Sequence, residues 1–150
     1  MKHILLLGAA LVAVPLTAVA QSQPPTGITP EQIVKARRAA MMMSGGNLAA
    51  MKSAAEGNGD LALLVPGARS LAGWAAALPG MFPEGSNVPP SNAKAEIWSD
   101  RAGFEAASRA YGEAAQRLAQ AAQAGDRAAF MTAWGEVRGS CGACHDAYKN

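Results

Sequence analysis

Two cysteines three residues apart, Cys141 and Cys144, with His145 directly after the second, carry the chemistry of this chain. The run Cys141-Gly-Ala-Cys-His145 has the spacing that attaches a c-type haem. On a helix, positions i and i+3 share a face, so both thiols reach the two vinyl groups on one edge of a porphyrin. His145, four residues after Cys141, falls on that same face. Its imidazole is then placed to bind the iron as an axial ligand. Thioether bonds make the attachment permanent, so packing alone need not retain the cofactor.

Other uses of these residues fit less well. A thiol–disulfide redox site also carries Cys-x-x-Cys, but beside a βαβ pattern, and no strand-like segment precedes this one. A closed zinc site needs four ligands. The chain has two cysteines and two histidines, and His3 lies in a segment expected to be removed. A plain disulfide would leave His145 without a role. One covalent haem c is the reading, and a Cys-x-x-Cys thiol–disulfide protein is the weaker alternative.

The opposite end of the chain sets the compartment. Met1-Lys-His is positive, residues 4–19 are apolar and small, and Ala18-Val19-Ala20 is an Ala-x-Ala cleavage site. This reads as a secretory signal peptide over residues 1–20, cleaved after Ala20, with the mature protein in the periplasm. A retained anchor would be longer and free of Pro15. No other segment is read as apolar enough to span a membrane once the signal is removed. Cleavage takes away Lys2 and no acid, so the formal charge falls from +2 to +1. Nothing in that balance points to nucleic acid or to a polybasic membrane patch.

The elements that must position the motif read as helices. Alanine is abundant, and β-branched residues are sparse after the leader. Residues 21–29 form a mobile Pro-rich entry segment before a single domain over 30–150. Thr29-Pro30-Glu31-Gln32 is a capping box with proline at the first helical position. The first helix runs from Pro30 to Glu56 and stops at Gly57-Asn58-Gly59. Asp60 caps a second that ends near Leu78-Pro79, with a kink or late start at Pro66. Gly80 to Asn92 is an irregular crossover. The third helix covers Ala93–Ala124, with a break near Ser99-Asp100, and ends at Gly125. Asp126 caps the fourth, which carries the haem motif. The expected fold is all-α, an antiparallel four-helix bundle with a C-terminal covalent haem.

With an export signal, four helices and Cys-x-x-Cys-His at the far C-terminus, the chain resembles the class II cytochromes c. That group contains the cytochromes c′ and their low-spin His/Met relatives. (Cytochrome c′ is also a standard example of such bundles.) Lys35-Ala-Arg37-Arg38-Ala-Ala-Met41 resembles the family's opening helix, Leu78-Pro79 before Phe82 the end of its second, and Glu96-Ile97-Trp98-Ser99-Asp100 the start of its third.

The open question is the second axial side of the iron. Val34, Met41 and Leu48 recur every seven residues and share an inward face. The resemblance puts Met41 where relatives carry either a ligating methionine or an apolar residue over an open site. A thioether ligand raises the reduction potential and suits an electron carrier. A packing methionine leaves a five-coordinate haem open to nitric oxide or carbon monoxide. Gly45-Gly46-Asn47 and Phe82-Pro83 look more like the low-spin relatives, so electron transfer to redox partner proteins is the main expectation. Gas binding is the alternative, with incidental peroxidase activity a weaker third.

In the family a basic residue at Arg37 lies close to the haem propionates; the other reading is a solvated surface arginine. Arg38 is expected to face solvent. Many cytochromes c′ have an arginine where this chain has Lys149, and lysine loses the planar fork. Its other reading is a cation at a helix C-terminus. Trp98 and Phe82 are candidates for the pocket wall, with core packing the default for the aromatics. No residue set suits acid–base or nucleophilic catalysis, so an enzyme is not expected. Family members are often homodimers through the first two helices, and the apolar stripe on the first helix permits that.

Overall fold

The computed structural model describes residues 27–150. The leader, its cleavage site and residues 21–26 of the entry segment lie outside the described residues. Helix α1 is Pro30–Glu56, and its cap is the expected box. Gln32 N donates to Thr29 Oγ1 at 3.3 Å, and Thr29 N donates to Gln32 Oε1 at 2.8 Å. Asp60 accepts from Ala62 N at 2.9 Å and opens one 3₁₀ turn, Leu61–Leu64. Helix α2, Val65–Ala77, follows with Pro66 in its first turn, where a missing N–H removes no intrahelical bond. The second helix therefore starts late rather than kinking. A further 3₁₀ turn, Leu78–Met81, leads into the crossover.

The third helix departs from expectation at its start. A single turn, α3 (Glu96–Ser99), breaks at Asp100, and α4 (Arg101–Ala124) begins there. Ala93 and Lys94 stay extended because they meet the end of the chain. Lys94 N donates to Tyr148 O at 3.0 Å, and Ala93 bridges Lys149. Gly125 closes α4 at φ 69°, a left-handed conformation that favours glycine. Asp126 caps α5 (Arg127–Tyr148) by accepting from Ala129 N at 2.9 Å.

Helices α1, α2, α4 and α5 form the antiparallel four-helix bundle. Helix α4 is central, packing closely on α2 and α5. One core cluster gathers Met51, Leu61, Leu71, Leu118, Phe130 and Val137 with many alanines. A second, around the crossover, holds Leu78, Phe82, Ile97, Phe104 and Tyr148. Trp74 packs on both. The aromatics of the second cluster meet edge to face, Phe82 on Phe104 at 5.1 Å and Phe104 on Tyr148 at 5.3 Å between centroids.

Helix α1 touches its neighbours more sparsely and is tied down by discrete hydrogen bonds. Asn47 Nδ2 donates to Gly67 O at 3.0 Å, where a Cβ on Gly67 would come within 2.6 Å of Met51 Cε. Trp134 Nε1 donates to Leu48 O at 2.8 Å. Arg127 donates to Ala55 O and, at 2.8 Å, to Gly59 O. Ala55 O lies in the last turn of α1, where intrahelical donors run out.

One expectation about membranes needs correction. The stretch Leu61–Met81, 21 residues, is by length and composition apolar enough to cross a bilayer. In the fold one side of it is buried, at Leu61, Ala68, Leu71, Ala75 and Leu78.

Candidate functional site

Four of the five site residues expected from the sequence meet at one cavity of about 470 Å³ between α1, the crossover and α5. Arg37 and Met41 stand on its α1 wall, and Cys144 and His145 on its α5 wall. Phe82, Ile97, Phe104 and Tyr148 supply apolar surface. The seven-residue spacing on α1 explains the α1 side. Val34 and Leu48 are buried and Met41 between them is half-buried, packed on the second core cluster. Cys141 lies one turn earlier on α5 and packs against the first cluster. The two thiols thus bracket the boundary between the clusters. His145 is exposed, in the last turn of α5, and lines the cavity.

Arg37 is not a solvated surface arginine; that reading is corrected by its 3 % exposure. Its guanidinium holds the crossover. Nη1 donates to Met81 O at 3.1 Å and Ser86 Oγ at 2.9 Å, and Nη2 donates to Ser86 O and Ser91 Oγ, both at 2.9 Å. The group also lies 4.1 Å from the centre of the Phe82 ring. Burial pulls its pKa below the ordinary guanidinium value. All four acceptors are neutral, and among the described residues no carboxylate pairs with it. Arg38, one residue on, is exposed as expected and reaches Pro90 O at 2.6 Å.

The other sequence candidates divide. Phe82 does line the cavity, whereas Trp98 is not among its walls; its Nε1 donates to Phe82 O at 3.1 Å and so braces the crossover from behind. Lys149 is exposed on the cavity rim and ends α5, its N–H donating to His145 O at 3.0 Å. Ser91, Asn92 and Met42 also line the cavity and had no signal in the sequence beyond their neighbours. Burial raises the pKa of both thiols above the usual cysteine value, the reverse of what a reactive Cys-x-x-Cys site needs.

These residues fit a haem. Two thiols and an imidazole share one helix, the facing walls are largely apolar, and a buried cation without a carboxylate partner stands at the edge. Trp74 Nε1 is the one buried side-chain polar atom without a hydrogen-bond partner among the described residues. With only two cysteines in the chain, a covalent haem has no other attachment points.

The comparisons agree. The family model for cytochrome c′ matches residues 32–149. A cytochrome c′ of Pararhodospirillum photometricum is 34 % identical over 123 residues, covering 81 % of this chain and 98 % of the relative. That of Alcaligenes xylosoxydans xylosoxydans is 35 % identical over 127 residues, covering 80 % and 94 %. Among solved structures, a nitric oxide complex of a variant Alcaligenes xylosoxidans cytochrome c prime matches with a TM-score of 0.74 at 32 % identity, over 81 % of this chain and 96 % of that one. A carbon monoxide-bound variant of the same protein also gives 0.74 at 32 % identity, over 81 % and 97 %. Motif, bundle and relatives converge along almost the whole described chain, and by that convergence the chain belongs to the cytochrome c′ family, haem c proteins of the class II group.

Proposed function

We propose that this chain is an exported haem protein that binds diatomic gases, nitric oxide and carbon monoxide, on the iron face covered by Met41. Cys141 and Cys144 would carry the thioethers, and His145 would ligate the iron from α5. When bound, the haem supplies an iron with one protein ligand and a second face that can take a gas. Met41 crowds that face from α1, and Arg37 offers its charge to the propionates. The observation that carries the reading is the packing of Met41 on the aromatic cluster of Phe82 and Phe104: its thioether already has an apolar surface to cover. The nitric oxide and carbon monoxide complexes of the similar Alcaligenes protein support the same choice.

Electron transfer with Met41 on the iron is the second reading, favoured by one fact: Met41 and His145 line the same cavity from different helices. In that case the partners are periplasmic redox proteins. The leader over residues 1–20 supports export, with cleavage after Ala20. A homodimer through α1 fits the exposure of Met43 on that helix, 69 %.

The deciding experiment is an optical spectrum of the purified protein, ferric and reduced, with and without carbon monoxide. Broad high-spin bands and ready carbon monoxide binding are expected. Sharp low-spin bands with a far-red sulfur-to-iron feature and slow carbon monoxide uptake would instead assign Met41 to the iron and the chain to electron transfer.

A further inference from the structure

His145 occupies an awkward place in the chain. It lies in the last turn of α5, three residues before the helix ends at Tyr148. Helix ends fray, opening at almost no free-energy cost unless something beyond the helix holds them. An axial ligand on a fraying turn would be poorly oriented.

The structure fastens this turn at several points. Tyr148 Oη donates to Asp100 Oδ2 at 2.9 Å, joining the end of α5 to the start of α4. Asp100 is already fixed, because its other oxygen accepts from Gly103 N at 3.2 Å as the cap of α4. Tyr148 O accepts from Lys94 N at 3.0 Å, and Asn150 N donates to Asn92 O at 2.9 Å. Lys94 Nζ donates to Asp146 O at 2.7 Å. The Tyr148 ring is 8 % exposed and wedged on Phe104. Space for the phenol–carboxylate bond exists because residue 103 has no side chain: a Cβ there would come within 2.6 Å of Tyr148 Oη. Tyr148 follows His145 by three residues, on the same face, and lines the same cavity.

We propose that Tyr148 and Asp100 are positioning residues for His145, their hydrogen bond holding the ligand-bearing turn against α4 and so setting the strength of the histidine–iron bond. The inference rests on His145 being the axial ligand. Its consequence concerns gas binding. A turn held by Tyr148 would keep the imidazole in place where a loose turn would let it swing away.

The test uses the haem-loaded protein and four variants: Tyr148→Phe, Asp100→Ala, Asp100→Asn and His145→Ala. Resonance Raman of the reduced protein reads the iron–histidine stretch, and hydrogen exchange reads the amides of residues 145–150. Tyr148→Phe removes one oxygen. It is expected to shift the stretch to lower frequency and to speed exchange in the last turn about tenfold, equivalent to about 1.4 kcal/mol. Asp100→Ala should lower the stretch as far, with a further loss of stability because it also uncaps α4, and Asp100→Asn should stay near the parent because an amide can still bond the phenol. An unmoved stretch in Tyr148→Phe, even with faster exchange, overturns the proposal, because the bond would then only stabilise the helix end. Survival of the band in His145→Ala is a different failure: it would remove His145 as ligand, whatever Tyr148 does.

Discussion

Replacing Arg37 with methionine keeps the length and apolar stem of the side chain and removes its charge and donors. Four crossover acceptors lose a partner. They do not suffer equally. Ser86 Oγ still donates to Pro83 O at 2.8 Å, and Ser91 Oγ still accepts from Ala93 N at 3.2 Å. Met81 O is only partly buried, so water can reach it. Ser86 O, on a residue 1 % exposed, accepts from nothing else among the described residues and would be orphaned. An orphaned buried carbonyl costs about 1–3 kcal/mol. Loss of the guanidinium from the Phe82 face costs roughly another 1 kcal/mol. Against this stands relief from burying a cation, which lets some apolar replacements of buried charge come out neutral. Because Arg37 has four well-formed bonds, the loss should win, by about 2–3 kcal/mol. For a domain of this size that lowers the melting temperature by roughly 10 °C. The assay is thermal and urea unfolding of the haem-loaded variant followed by far-UV circular dichroism, with carbon monoxide binding by flash photolysis alongside. A loosened crossover should also quicken gas entry. A melting temperature within about 2 °C of the parent would refute the reasoning, since the guanidinium would then contribute nothing net to holding the crossover.

Substituting both Cys141 and Cys144 by alanine should abolish covalent haem, read as loss of haem staining on a denaturing gel; full covalent incorporation in that variant would end the attachment claim. Met41→Ala should leave a high-spin spectrum high-spin and speed carbon monoxide and nitric oxide binding by removing bulk from the α1 wall; a parent low-spin spectrum that vanishes in the variant would show that the thioether had been on the iron. Tyr111, 8 % exposed, has its pKa pushed up to about 12 by burial. The unfolded chain then loses that proton first as pH rises, so its contribution is complete below about pH 10 and disappears by about pH 12, a loss of about 3 kcal/mol. Tyr111→Phe should flatten that part of the alkaline stability curve, and an equally steep curve in the variant would remove Tyr111 as its cause.

The helix boundaries were legible where the code is local. Thr29 with Gln32, Asp60, Asp126 and Gly125 each act within three or four residues, and each ends or starts a helix where its chemistry says. The α1 face was legible for the same reason, since Val34, Met41 and Leu48 need only the helical period. What escaped depends on distant partners. Ala93 and Lys94 have no local reason to leave a helix; they do so because Lys149 and Tyr148 arrive beside them. The bonds of Arg37 reach residues 44 to 54 positions away, all in a segment without periodicity. Periodicity put Arg37 one turn from Met41 but could not distinguish a surface cation from a clamp. Trp98 was drawn to the pocket by the family resemblance, yet an indole N–H needs an acceptor, and it finds them in the crossover backbone, at Phe82 O and Pro83 O.

The ties along α1 give that helix a fixed register. An alanine-rich cylinder slides along its neighbours at small cost, because one turn of small side chains buries much the same area as the next. A slip of one turn would displace α1 by about 5.4 Å. Such a slip would break the bonds made by the side chains of Arg37 and Asn47 together, because α1 carries no guanidinium or amide one turn away to replace either. Directional bonds, weak individually, thus rule out alternative alignments that apolar burial alone would tolerate. Met41 stands opposite the fourth helix because the whole of α1 is indexed against the crossover by Arg37 and against Gly67 by Asn47.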